Sequence, residues 1–289
     1  MNKRLLIKRL LIYLLFSFGL VFGMFGIAYA RGVRYEDMAN QCILGFSMLC
    51  PTVAMLLTRL LTGQGFSGMG MEIVLKGKVR YYLLAVFVPL IYTEAGYMLY
   101  YLCVRGGADF TFPHFGDISP YFWWLVPVSA LTTAVTASFG GFGEEAGWRG
   151  YMYPMLEELF GPVKGCIIGG MIWGIWHYPQ IAIGHTFGTE YPFAPYSGFL
   201  VFTLFTVAIG AWLYALTKKT GSVWPAAFSH AGNNAIIGST ILAGALNQSK
   251  NSFYQQNTVA AVGIIFLPAV LMGIVFLISF GKETHKHIK

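Results

Sequence analysis

Charge is what this chain has least of: Asp, Glu, Lys and Arg together make up 11% of its 289 residues. A soluble domain of that length needs a far more charged surface, which excludes a water-soluble enzyme or binding module. The imbalance of 19 Lys and Arg against 12 Asp and Glu is spread along the chain. No basic patch is interleaved with aromatics, so nucleic-acid binding is set aside. Cysteine is sparse too. Cys42, Cys50, Cys103 and Cys166 fall in apolar runs without C-x-x-C spacing, so they are read as small core residues and not as a disulfide framework or a thiol nucleophile. The H-E-x-x-H spacing of the commonest zinc-protease helix is absent, as are internal repeats and low-complexity tracts.

What is there is apolar length. Hydrophobic residues reach 56%, mean hydropathy is +0.61, and polar connections separate runs long enough to span a bilayer. The expected fold is an all-α polytopic membrane helix bundle, a single membrane domain over residues 1–289. It has about eight transmembrane helices, at roughly 10–30, 41–62, 81–104, 121–142, 165–184, 198–217, 223–246 and 258–280. With these spans, fifteen Lys and Arg fall on one side, including Lys3, Arg4, Lys76, Lys78, Lys218 and Lys219, and four on the other, Arg31, Arg34, Arg105 and Lys250. Short cytoplasmic loops are enriched in positive charge, so both termini are expected in the cytoplasm of a multi-pass protein of the cell membrane. The first span has a second reading as a signal peptide, since a basic start leads to Ala28-Tyr29-Ala30. Its apolar run of about 18 residues exceeds a typical signal core, which favours an uncleaved helix.

Against this background Glu144, Glu145 and Arg149 stand out, because charge within a membrane bundle is costly and usually faces a partner or a wet cavity. On a helix Glu145 and Arg149 are four apart and can pair, while Glu144 sits about 100° around the axis. One carboxylate is thereby neutralised and the other left as a general base. The bland reading is an interfacial charge cluster capping a helix.

Two apolar runs each carry one histidine. Trp173 and His177 lie one turn apart, so the aromatic can shield and position the imidazole; the alternative is a histidine packed against a neighbouring carbonyl. His230 and Asn234 share a face and form a donor pair suited to an oxyanion, or else a polar contact between helices. Asn233 is read as structural. Overlapping G-x-x-x-G spacing through Gly165, Gly169, Gly170 and Gly174 favours close helix contact. Glu94 is read as structural, and His114, His185, His285 and His287 as solvated.

Together these residues resemble the CAAX protease and bacteriocin-processing (CPBP) family of intramembrane endopeptidases, the type II CAAX prenyl endopeptidases. The family's E-E-x-x-x-R corresponds to Glu144, Glu145 and Arg149, its aromatic-x-x-x-His to Trp173 and His177, and its H-x-x-x-N to His230 and Asn234. Trp173 stands where the family more often has Phe. The resemblance covers about residues 120–245 and implies a catalytic core there.

The resemblance implies hydrolysis of peptide bonds in membrane-associated peptides or proteins, from a cavity open to the cytoplasmic side. Glu144 accepts a proton from water, His177 positions that water, and His230 with Asn234 stabilises the oxyanion. Glu145, Arg149 and Trp173 support them, and no metal or other cofactor is needed. A rival version makes Glu144, His177 and His230 ligands of a catalytic zinc, a known ligand set with an open water position. From other classes come a non-catalytic membrane scaffold or bacteriocin-immunity protein, and a proton-coupled transporter, for which no inverted repeat of broken helices is visible. Eukaryotic relatives trim prenylated C-a-a-X ends, while bacterial ones act on other peptides. The short termini and the lack of an ER-retention ending favour a prokaryotic plasma membrane.

Overall fold

The computed structural model describes residues 2–33, 35–104, 128, 131–132, 134–236 and 252–288, and among these every regular element is helical. In chain order they are α1 (Lys3–Ala30), α2 (Met38–Ser47), α3 (Cys50–Leu61), α4 (Val79–Cys103), α5 (Ser138–Gly147), a π turn (Trp148–Met152) and α6 (Tyr153–Phe160). There follow α7 (Pro162–Trp176), α8 (Tyr178–Ala182), α9 (Tyr196–Thr220), α10 (Trp224–Ile236), α11 (Ser252–Gln256) and α12 (Thr258–Ile288).

Among the described residues, four helices are long and apolar enough to cross a membrane: α1, α4, α9 and the first 25 residues of α12. The pair α2 and α3, bent by 42°, makes a fifth if counted as one span. Their outward faces carry large apolar side chains such as Leu15, Ile91, Leu102, Leu200 and Val275, an arrangement suited to lipid and not to water. The expected crossings at about 121–142 and 223–246 lie in part outside the described residues.

The expected crossing at about 165–184 is not one continuous helix. It breaks at His177, whose N–H bonds the Gly174 carbonyl at 3.0 Å, and a new short helix starts with Pro179 near its N-terminus. Proline offers no N–H and clashes with the preceding turn, which disfavours a continuous helix here, although Pro89 and Pro268 stand inside α4 and α12. The break puts His177 at the end of α7.

The bundle is organised around α9, which packs on α7, α10 and α12, while α5 packs on α3 and α10, and α10 also on α4. Glycines set the close approaches. A Cβ at Gly170 would fall on the Val207 backbone of α9, and one at Gly174 would lie 2.7 Å from Thr206 Oγ1. The G-x-x-x-G spacing thus faces a real helix contact. On α5, a Cβ at Gly141 would lie 2.5 Å from the Ala227 carbonyl oxygen of α10. That contact brings the acidic end of α5 alongside His230.

Candidate active site

Glu144 and Glu145 end α5, and the backbone then widens into a single π turn, with the Tyr153 N–H bonded to the Trp148 carbonyl. Such turns are rare and occur often at functional sites. The turn is nevertheless compatible with the expected pairing: Arg149 Nη1 donates to Glu145 Oε1 at 2.7 Å, and both residues are fully buried. The guanidinium also lies over the rings of Trp173 at 4.0 Å and Tyr153 at 4.8 Å. A buried cation is thus held by one carboxylate and two π faces.

Glu145 has a second partner, since His230 Nδ1 lies 2.7 Å from the same Oε1. A carboxylate accepts, so Nδ1 carries the proton and Nε2 points the other way. That nitrogen faces Glu144 Oε1 at 3.8 Å. The geometry restricts the expected oxyanion role: His230 donates from Nε2 only when both ring nitrogens are protonated.

Glu144 is not a free carboxylate as the sequence suggested. Its Oε2 accepts from two indoles, Trp173 Nε1 at 2.8 Å and Trp148 Nε1 at 3.2 Å, leaving Oε1 towards His230. Trp148 was missed in the sequence, where an aromatic in an apolar chain reads as packing. It does pack, edge-on to Tyr13 and Trp176, but it stands one helical turn after Glu144 and also bonds it. Trp173, expected to shield a histidine, meets both: its ring centroid is 5.8 Å from that of His177 and 5.3 Å from that of His230.

His177 is buried among Trp173, Trp176 and Phe202. Its Nδ1 is 2.9 Å from the Trp173 carbonyl, which can only accept, so Nε2 of the neutral ring keeps its lone pair. Asn234 is exposed at the end of the group. Asn233, read from the sequence as structural, lies beside it: Tyr92 donates to Asn233 Oδ1 at 2.7 Å, and Asn233 Nδ2 donates to Asn234 Oδ1 at 3.4 Å. The structure therefore gathers Glu144, Glu145, Arg149, Trp173 and His230 in direct contact. His177 joins them through Trp173, and Asn234 stands apart on the rim.

A cavity of about 300 Å³ adjoins this group, with Trp173, Asn233 and Asn234 in its wall but not Glu144 or His230. It extends towards Tyr97 and Tyr254, at the end of the bundle where α4 and α8 finish. The opposite end is marked by Lys78, whose Nζ donates to the Lys219 carbonyl at 2.6 Å. His185, expected to be solvated, also lines the cavity and lies 3.2 Å from the Tyr35 hydroxyl through Nδ1.

Nδ1 of each histidine is bonded, to Glu145 and to the Trp173 carbonyl, which leaves both Nε2 atoms open as ligands; among the described residues, however, no three His, Cys, Asp or Glu side chains converge as metal ligands. Glu144, His177 and His230 are not gathered as a metal site in this arrangement.

Fold and site together define a helical membrane protein with a buried carboxylate, histidine and arginine centre beside a cavity. Residues 125–236 match the family model described as type II CAAX prenyl endopeptidase, Rce1-like, a family of peptide-bond hydrolases. A 47-residue stretch is 36% identical to CAAX prenyl protease 2 of Methanococcus maripaludis, covering 16% of this chain and 17% of that protein.

Proposed function

We propose that the chain is an intramembrane endopeptidase acting on peptide bonds of membrane-associated peptides or proteins. The observation that carries this reading is the asymmetric environment of Glu144: one carboxylate oxygen is held by two indoles, and the other faces His230 within a buried cluster.

In the mechanism, Glu144 Oε1 takes a proton from a water while His177 Nε2 orients it. The water oxygen attacks the peptide carbonyl, and His230 Nε2, on a ring protonated at both nitrogens, donates with the Asn234 amide to the oxyanion. The proton then passes from Glu144 to the leaving nitrogen as the C–N bond breaks, giving a carboxylic acid and an amine, which become a carboxylate and an ammonium. Glu145 and Arg149 hold His230 and the π turn in place. The chemistry needs no cofactor.

We further propose a single membrane domain of eight crossings in the cell membrane, with both termini cytoplasmic. The segregation of fifteen Lys and Arg from four supports this orientation. The partners are then the lipid bilayer and a peptide or protein substrate, with membrane-anchored substrates included.

The test is cleavage of a quenched fluorescent peptide library by detergent-purified protein, with Glu144→Ala as control and with a strong zinc chelator. Cleavage lost in Glu144→Ala and kept under chelator supports the reading. Loss under chelator, restored by zinc, replaces the metal-free mechanism with the zinc version. Equal signals from wild type and variant favour the non-catalytic scaffold.

A further inference from the structure

The spanning helices α4, α9 and α12 leave a groove at the end of the bundle that carries Lys78 and Lys219. Both α4 and α9 pack on α12 but touch each other little, and the space between them has a volume of about 180 Å³. Trp212, Leu216, Phe276 and Phe280 make its walls apolar. Leu84 and Ser279, also in the lining, are exposed, so the groove opens on the outer surface of the bundle. None of the reactive residues lines it.

Cations collect at this groove. Lys219 is in its lining, and Lys78 Nζ donates to the Lys219 carbonyl at 2.6 Å. Tyr81, another lining residue, has two cations at its ring: the centroid is 5.8 Å from Lys78 Nζ and 4.8 Å from Arg80 Cζ. Arg80 Nη2 also donates to the Tyr81 hydroxyl at 2.9 Å. The first turn of α4 holds no acidic residue. Among the described residues, neither Lys78 nor Arg80 pairs with a carboxylate, and Glu157 is taken by Lys218 at 2.8 Å.

Three positive charges beside an outward-facing apolar groove define the chemistry of an occupant: an apolar chain under an anionic head. Basic side chains at the ends of spans sit at headgroup level, which puts the apolar walls at the depth of the acyl chains. Cations that served orientation alone would need no groove beside them.

We propose that this groove binds an anionic glycerophospholipid from the leaflet at the basic end of the bundle. One acyl chain lies along Leu216 and Phe276, and the headgroup phosphate meets Lys78, Arg80 and Lys219. The volume takes part of one chain and is too small for a helix. This site does not depend on the endopeptidase reading.

Native mass spectrometry of the full chain in a neutral detergent tests it. The probes are phosphatidylglycerol, phosphatidylcholine with the same acyl chains, and inorganic phosphate. Wild type is expected to hold one phosphatidylglycerol at least about tenfold more tightly than phosphatidylcholine, and no phosphate ion at the same concentration. Arg80→Gln and Lys78→Gln each weaken phosphatidylglycerol about fivefold, the worth of one basic residue at an anionic headgroup, and leave phosphatidylcholine unchanged. Ser279→Trp fills the groove from its exposed rim and weakens both lipids about tenfold. Arg4→Gln removes a charge of the same side from α1, which packs on α3, and leaves binding as it was.

No retained lipid, equal affinity for the two lipids, or equal losses in Arg80→Gln and Arg4→Gln overturns the site and assigns the cations to topology alone. Undiminished binding in Ser279→Trp removes the groove from the account, and phosphate held as tightly as phosphatidylglycerol removes the lipid. Should Lys78→Gln fail to fold, Arg80→Gln and Ser279→Trp, both at exposed positions, decide the outcome.

Discussion

Glu144 Oε1 and His230 Nε2 face each other across 3.8 Å, each with its other polar atom already engaged. The separation is too long for a direct hydrogen bond and suits one bridging water. Two residues from α5 and α10 thus present a carboxylate oxygen and a ring nitrogen to the same small space, and the consequences can be tested one contact at a time.

Trp148→Phe keeps an aromatic ring against Tyr13 and Trp176 but removes the N–H that holds Glu144 Oε2. A hydrogen bond to a charged group contributes about 1.5–3 kcal/mol. If Trp148 serves only to orient the carboxylate, kcat falls about tenfold or more with KM little changed. Steady-state kinetics on a cleaved library peptide read this. A fall in KM-dependent binding alone, or unchanged kinetics, assigns Trp148 to packing.

Arg149→Ala leaves Glu145 buried without its cation, and breaking a buried ion pair costs about 3–5 kcal/mol. The variant is expected to unfold at a markedly lower temperature in detergent. Arg149→Lys restores little, because a lysine cannot reproduce a planar guanidinium over Trp173 and Tyr153. An Arg149→Ala protein as stable as wild type contradicts the structural role.

Gly170→Ala adds helix propensity worth about 1 kcal/mol, yet the new methyl meets the Val207 backbone of α9. Overpacking of this kind costs about 1–3 kcal/mol. The expected outcome is a lower unfolding midpoint although no reactive residue is touched. A raised midpoint shows that α7 and α9 separate easily.

Local spacing made part of the site legible. Glu145 and Arg149 pair because they are four apart, and Trp173 and His177 share a face for the same reason. The all-helical, lipid-facing architecture follows from apolar run length. The break at His177 precedes Pro179, but proline alone does not mark a break in this chain, since Pro89 and Pro268 lie inside continuous helices. The Trp148 bond to Glu144 was hidden because packing is the default reading of a tryptophan in such a chain. Asn233 is structural as read, but its partner could not be read, because Tyr92 lies 141 residues away in sequence and no local periodicity encodes that contact. The cavity, formed by seven separate stretches, has no sequence signature.

The most direct measurement is the peptide-cleavage rate of Glu144→Gln beside wild type, in the same detergent. Glutamine keeps an oxygen for the two indoles but cannot take a proton from water. The account predicts a rate lower by about 10²–10⁴-fold in a protein that elutes and unfolds like wild type. A Glu144→Gln protein that cleaves at the wild-type rate contradicts it.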